Sequence, residues 1–542
     1  MVTNRPATSS AKRRALALFG KKQFMKAGQQ LAEICQKDPT DAEAWMLQGL
    51  CAQNLQRLDQ AILLLERAAA LSPASARYHN ALGTACLQRG YVDNAVASLS
   101  RALDIDKYYG EAHENLNEAL LAGGHFHEAV TACRAALQVM PDAAKIHELL
   151  AFALEQTHQM DAARLAAQQA IALEPKNVRA NLTLARLDRR AGELPAAHDR
   201  LQRVLHSPLP PVQEATLAAE LGDVLDRMGD YEAAYQAFQQ ANQALAKTVP
   251  ATLVTQNSIL THIARNREWF TRERTAGWQK VQQTNASKTP IFLVGFPRSG
   301  TTLTEQVIAS LKQIVPTDER PVISRMVSEF STVIGRPVSY PAGLAELPAG
   351  ELESLRKRYW ELMKGALPNV DAKQRLLDKL PLNIIELGLV YRLFPDASVI
   401  VVLRDPRDCC LSCFMQPFRP NQAMVNFHTL SNTARFYAAV MDLWRHYRAE
   451  LDLAYIEVRY EDLVEQFEPE ARRLVDFVGE PWNDTVLDFF EHARARNVST
   501  PSYAAVASPI YSRSVGRWRH YHAQMEPVFE VLQPYVEEFG YE

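Results

Sequence analysis

Pro290-Ile-Phe-Leu-Val-Gly295-Phe-Pro-Arg-Ser-Gly300-Thr-Thr-Leu-Thr-Glu-Gln-Val-Ile-Ala-Ser-Leu311 is the stretch whose reading decides the fold of the second half of this chain. Its opening, Ile291 to Val294, is an uninterrupted apolar run of strand length, as a parallel strand buried on both faces requires. Leu303, Val307, Ile308 and Leu311 then recur at helical spacing. Between strand and helix lies a turn bounded by Gly295 and Gly300. A strand, a glycine turn and a helix N-terminus in that order aim several backbone N–H groups at one spot, a cradle for an anion. The pattern predicts a P-loop-like α/β domain with a parallel sheet.

The two glycines are spaced as in a nucleotide-binding loop, but the residue after the second is Thr301. A loop serving a nucleoside triphosphate carries lysine there to reach the outer phosphates. Its absence argues against a nucleotide kinase, and Arg298 inside the loop supplies the fixed positive charge instead. A second buried strand is expected at Ser398-Val-Ile-Val-Val-Leu403, ending in Arg404-Asp-Pro-Arg-Asp408 and running into a helix through Ser412. Arginine suits bidentate contact with a phosphate. Taken alone, Arg-Asp-Pro-Arg is often a salt-bridged loop. After the first cradle it reads as a second anion site.

Pro297-Arg298-Ser299-Gly300-Thr301-Thr302 resembles the loop that holds the 5′-phosphosulfate of 3′-phosphoadenosine 5′-phosphosulfate (PAPS) in sulfotransferases. Arg404 and Ser412, eight residues apart, resemble the element that takes the donor's 3′-phosphate. Ser512-Arg-Ser-Val-Gly516-Arg-Trp518 looks like the basic segment that closes over the donor, with Arg513 and Arg517 as candidate contacts. Tyr460 matches a donor-contacting position, although a core residue at a strand end is the plain alternative. From Pro290 to about Trp518 the chain is similar to protein-tyrosine sulfotransferases and their bacterial repeat-bearing relatives. That resemblance implies PAPS as co-substrate with no metal. It implies Glu319 as the base, Lys379 acting on the sulfuryl group, and an assisting serine, Ser502, with Ser508 as the second choice. Arg325, six residues after Glu319, and Arg320 are the implied substrate contacts. Pro321 stands where a second basic residue is expected, which departs from the family pattern. The plain alternatives are Glu319 bridging to Arg320 and a surface Lys379 paired with Asp378.

The first half reads differently. Pro39, Pro73, Pro141 and Pro175 fall on one lattice of 34 residues, with Lys107 at the missing point. Ala27, Ala61, Ala95, Ala129 and Ala163 share that lattice, as do Ile34, Ala68, Ala102, Ala136 and Ala170. Small residues let paired helices approach, and a proline ends the second helix of each unit. These residues resemble the tetratricopeptide repeat, a helix-turn-helix of about 34 residues. About seven units are expected between residues 7 and 247. The last, Leu221-Gly222 to Ala241, is offset by three residues, a shift that Pro208 to Pro211 would absorb. The expected organisation is an all-α superhelix over 1–247, a helical linker over 248–285 and a sulfotransferase domain over 286–542. The concave repeat surface is expected to take a peptide or protein.

Composition bounds the rest. The chain has 542 residues, too many for one core, and a formal net charge of −3, which gives no basic signature of nucleic-acid binding. Seven cysteines without a framework spacing read as reduced, packed thiols, and Cys410-x-x-Cys413 lacks the second pair of a zinc site. No signal peptide or membrane span is expected, so the reading is cytoplasmic, without membrane contact. The function expected is sulfuryl transfer from PAPS to a hydroxyl, tyrosine of a peptide or protein, with the repeats recruiting substrate or partner. Two alternatives stay open at this level: a glycan or small-molecule acceptor, and a repeat scaffold whose sulfotransferase-like domain is inactive.

Overall fold

The computed structural model describes residues 5–250, 253, 258–278, 289–367, 374–491 and 514–541. The chain divides into two compact units, Met1–Ser207 and Pro208–Glu542.

The first unit is a run of helix pairs joined by short turns: α1 (Arg5–Gly20), α2 (Phe24–Lys37), α3 (Ala42–Asn54), α4 (Leu58–Leu71), α5 (Ala76–Arg89), α6 (Val92–Ile105), α7 (Gly110–Ala122), α8 (Phe126–Val139), α9 (Ala144–Gln156), α10 (Met160–Leu173), α11 (Val178–Ala191) and α12 (Leu194–Leu205). All five lattice alanines from Ala27 to Ala163 are buried, as is the second set from Ile34 to Ala170. The lattice prolines stand just past the ends of α2, α4, α8 and α10. At the missing proline, Asp106 closes the turn by accepting the Tyr108 N–H at 3.0 Å. Gly83 shows why a glycine is needed where paired helices touch: a Cβ there would stand 2.5 Å from Leu99 Cγ. Gly83→Ala gains up to about 1 kcal/mol of helix propensity but overpacks the contact by about 1–3 kcal/mol. The expected net result is a lower thermal midpoint, read by circular dichroism; an unchanged midpoint would mean that Leu99 swings aside freely.

The second unit begins with one more helix pair, α13 (Pro211–Met228) and α14 (Tyr231–Ala246). By sequence this is a repeat like the others. By packing it belongs with the sheet: Asn242 Nδ2 donates to the Phe414 carbonyl at 2.8 Å, and Tyr235 stacks on the Phe414 ring at 5.1 Å. By contacts the chain divides after Ser207, while the helix-pair pattern itself runs on through α14. The helical stretch read as linker is also packed. Helix Ser258–Trp269 sends Asn266 Nδ2 to the Ile385 carbonyl at 2.9 Å, and buried Phe270 lies against Gly388 and Tyr447.

Five parallel strands, β1 (Ile291–Gly295), β2 (Ile314–Pro316), β3 (Arg375–Lys379), β4 (Ser398–Leu403) and β5 (Ala454–Arg459), stand in the order β2-β3-β1-β4-β5. β1 and β4 match the two apolar runs expected as buried strands, and β1 is buried along its whole length. From central β1 the chain builds β2 and β3 on one side, then β4 and β5 on the other. Such a reversal leaves a crevice at the carboxyl ends of the strands, between β1 and β4. Among the described residues, no helix is long and apolar enough to cross a membrane. All seven cysteines are buried free thiols; burial raises the pKa of Cys409, Cys410 and Cys413.

Candidate active site

Strand register alone gathers most of the expected residues at one edge. Gly295 pairs with Val402, so the glycine loop leaves beside Arg404. Leu403 pairs with Arg459, which puts Tyr460 next to Arg404. Leu293 pairs with Lys379, and Pro316 with Leu377, so Glu319 rises beside the end of β3.

The loop between β1 and helix Thr301–Ala309 is tightly built. Gly295 has φ of 158° and Gly300 has φ of 107°. A Cβ on Gly295 would stand 2.6 Å from the Val402 carbonyl oxygen, and one on Gly300 would stand 2.5 Å from Tyr460 Cδ2. Arg298 itself is left-handed at φ 69°, a conformation that costs a non-glycine residue free energy and is held by its surroundings. Its Nε donates to Ser412 Oγ at 3.1 Å, and its carbonyl accepts from Arg404 Nη1 at 3.0 Å. The two expected anion elements are therefore one structure. Arg404 also lies over the Tyr460 ring at 5.0 Å and bonds the Ser514 carbonyl through Nη2. Pro297 gives its carbonyl to Cys413, while Ser299, Thr301 and Thr302 are buried at the helix start. Ser299 Oγ and Arg404 Nε are buried without a protein hydrogen-bond partner among the described residues. Ser299 beside the helix N-terminus and Arg404 past the end of β4 are thus two separate orphaned donors, each fitted to meet a phosphate or sulfate group.

The rest of Arg404-Asp-Pro-Arg-Asp408 is structural. Asp405 takes a fork of two bonds from Arg407, at 2.9 and 2.8 Å, and accepts Trp518 Nε1 at 3.1 Å. Arg407 lies over the Trp518 ring at 3.9 Å. Asp408 accepts the backbone N–H of Gly516 at 2.7 Å and of Trp518 at 2.9 Å; burial raises its pKa against the opposing pull of Arg404. This loop clips the Gly516–Trp518 segment to the edge of the crevice.

A few strands away, Lys379 is fully buried, at 0 % side-chain exposure, and not a surface lysine. Its Nζ contacts Glu319 Oε1 at 2.9 Å and Glu305 Oε2 at 3.4 Å. Glu305, on helix Thr301–Ala309, is also 0 % exposed, whereas the Glu319 side chain is 40 % exposed. Asp378 points to the other face of β3, as strand alternation requires. It accepts Tyr359 OH at 3.0 Å and Asn383 Nδ2 at 3.2 Å, and burial raises its pKa to about 7. Lys379 is thus paired with Glu319 and Glu305, not with Asp378.

Some expected residues stand elsewhere. Arg325 is exposed and bonds Glu329 at 2.7 Å, away from Glu319. Arg320 is exposed beside Glu319, with its backbone N–H on the Asp318 carbonyl. Arg517 is held by Asp226 of α13, Nη2 to Oδ1 at 3.0 Å. Ser502, Ser508 and Arg513 lie outside the described residues. Sequence reading missed Glu305 and Asp226. For Glu305 there was a signal: an acid whose neighbours one helical turn away, Thr301, Thr302, Ile308 and Ala309, are all small or apolar.

Comparison with known proteins agrees with this architecture. The sulfotransferase family model matches residues 290–484, and tetratricopeptide-repeat models match 12–76, 52–109, 118–178 and 215–244. The chain therefore carries tetratricopeptide repeats followed by a sulfotransferase-family domain. It is similar to an uncharacterized protein of Aquifex aeolicus (strain VF5), 30% identical over 347 residues, covering 61% of this chain and 43% of that one. Protein-tyrosine sulfotransferase A of Caenorhabditis elegans is 26% identical over 199 residues, 36% of this chain and 51% of that one. Protein-tyrosine sulfotransferase of Drosophila melanogaster is 24% identical over 292 residues, covering 48% and 52%. The chain spans about half the length of the curated relatives it matches.

Proposed function

We propose that this protein transfers a sulfuryl group from PAPS to a hydroxyl acceptor, the tyrosine of a peptide or protein, and that repeats α1–α12 recruit the acceptor or a partner. The observation that carries the reading is the placement of Lys379. A wholly buried ammonium contacts a half-exposed carboxylate, Glu319, at the same sheet edge as the glycine loop. The tyrosine acceptor follows the names of the two animal relatives.

Glu319, open to solvent on one side, takes the proton of the acceptor hydroxyl as its oxygen bonds to sulfur. Lys379 stabilises the charge gathering on the phosphate oxygen as the S–O bond to the donor breaks. The two events are coupled through the contact between them. A Glu319 carboxyl that has gained a proton holds the ammonium less tightly and releases it toward the leaving oxygen. Glu305 keeps Lys379 partnered throughout. The loop amides, Ser299 and Arg298 hold the 5′ group, and Arg404 with Ser412 holds the 3′-phosphate.

Calorimetric titration with 3′,5′-adenosine bisphosphate (PAP, the desulfonated donor), AMP and ATP tests the donor. PAP is expected to bind roughly 10–100-fold more tightly than AMP, the value of one set of charge-assisted phosphate contacts. ATP binding equal to or tighter than PAP would overturn the assignment.

A further inference from the structure

The last helix pair, α13–α14, makes a set of contacts that a recruiting module does not need. Most of them fall on helix Pro406–Met415 or on the Arg517–Tyr521 turn, and one more runs from Gln524 Nε2 to Glu232. Buried Asn242 caps the carboxyl end of helix Pro406–Met415, which carries Ser412, by donating to the Phe414 carbonyl at 2.8 Å. Tyr235 stacks on the Phe414 ring, 26° from parallel. On the other flank, Asp226 Oδ1 accepts from Tyr521 OH at 2.6 Å and from Arg517 Nε at 3.2 Å and Nη2 at 3.0 Å. Tyr231 stacks on His520 at 4.4 Å and meets Tyr521 edge-on at 5.4 Å. Arg517 to Tyr521 form one short 3-10 turn, whose N-cap Gly516 is bonded to Asp408.

We propose that Asp226 is a positioning residue for the donor site, and that the terminal repeat pair is a wall of that site. The proposal rests on the donor reading given above. Its physical chain is short. Asp226 is the acid hydrogen-bonded to Arg517, with Asp223 of the same helix acting on that charge as well, and it anchors Tyr521. With that turn fixed, the Gly516 and Trp518 amides stay on Asp408, and the Ser514 carbonyl stays on Arg404. Among the described residues, Asp226 bonds none of the donor-site residues named above other than Arg517, so its effect passes through the turn.

The test uses the full chain with Asp226→Asn and Asp226→Glu, read by amide hydrogen exchange and by PAP calorimetry. Asp226→Asn is expected to speed exchange at residues 516–521 while leaving β1–β5 protected. It should also weaken PAP binding roughly tenfold, the loss of one charged hydrogen-bonded contact. Asp226→Glu keeps the charge and is expected to recover part of both. Unchanged exchange at 516–521 overturns the proposal, as does faster exchange spread across the whole sheet, which marks general destabilisation. A wild-type chain that binds no PAP overturns the donor reading. Exchange confined to 516–521 in Asp226→Asn would then still establish the positioning of the turn.

Discussion

Lys379→Met should slow sulfuryl transfer about 100–1000-fold and also destabilise the protein, and adding Glu305→Gln should repair the second defect without the first. Lys379 and Glu305 are both fully buried, 3.4 Å apart. Removing the lysine takes the ammonium away from the fully buried Glu305 carboxylate, and removing one partner of a buried ion pair costs about 3–5 kcal/mol. Glu319 suffers less, because solvent reaches it. Protonation would neutralise the stranded carboxylate, so the single variant is expected to recover stability as pH falls, when the folded form takes up the extra proton. Lys379→Met/Glu305→Gln removes both charges and should melt near the wild-type midpoint at every pH. Its transfer rate should remain about 100–1000-fold down, because the cation for the leaving oxygen is still missing. Thermal melts at pH 5 and pH 8, together with single-turnover transfer, separate the two effects. A double variant with substantial activity would remove Lys379 from the chemistry. A Lys379→Met protein as stable as wild type at pH 8 would show that the pair is hydrated and not buried as charges.

How far the site could be read from sequence depends on what kind of information each residue carries. β1 and β4 were legible because a strand buried on both faces is apolar without interruption, and their short length and flanking turn residues set them apart from a buried helix segment. The glycine loop was legible because its conformation excludes side chains at Gly295 and Gly300. Lys379 and Glu319 are 60 positions apart and meet only through the pairing of β2 with β3. No local pattern holds that information, and only the resemblance supplied it. Arg325 has the expected spacing from Glu319, and its side chain pairs with a glutamate four residues on, a local choice that spacing alone does not reveal.

The domain boundary teaches a related lesson. Repeat periodicity is a property of the inside of each helix pair, and α13–α14 satisfies it, Gly222 against Phe238 included. Membership of a unit is decided by the outer face, where Tyr231, Tyr235, Asp226 and Asn242 point at the sheet domain. The one visible trace was the three-residue slip in the lattice at Pro208 to Pro211, and the division after Ser207 falls at that slip. A break in phase between repeats is thus a better boundary signal than the end of the repeats themselves.

Arg404→Ala should erase the preference for PAP over AMP while sparing AMP binding itself. Arg404 does several jobs at once. It holds the Arg298 carbonyl through Nη1, holds the Ser514 carbonyl through Nη2, lies over Tyr460, and leaves a buried Nε without a partner among the described residues. That last donor, with Ser412 across the loop, is the reason to assign it the 3′-phosphate, which AMP lacks. Loss of such a charged contact costs about 1.5–3 kcal/mol, roughly 10–100-fold in affinity for PAP. AMP, bound by the glycine loop alone, should change by only a few fold. Arg404→Lys keeps the charge but not the planar fork, so it loses the geometry that reaches both carbonyls at once while lying flat on the tyrosine ring. It is expected to behave like the alanine variant, which distinguishes geometry from charge. Parallel titrations of the three proteins decide the matter. If PAP and AMP weaken by the same factor, Arg404 is a brace for the glycine loop, and the selectivity for the 3′-phosphate lies elsewhere. If Arg404→Lys binds PAP as wild type does, a point charge suffices and the fork is incidental.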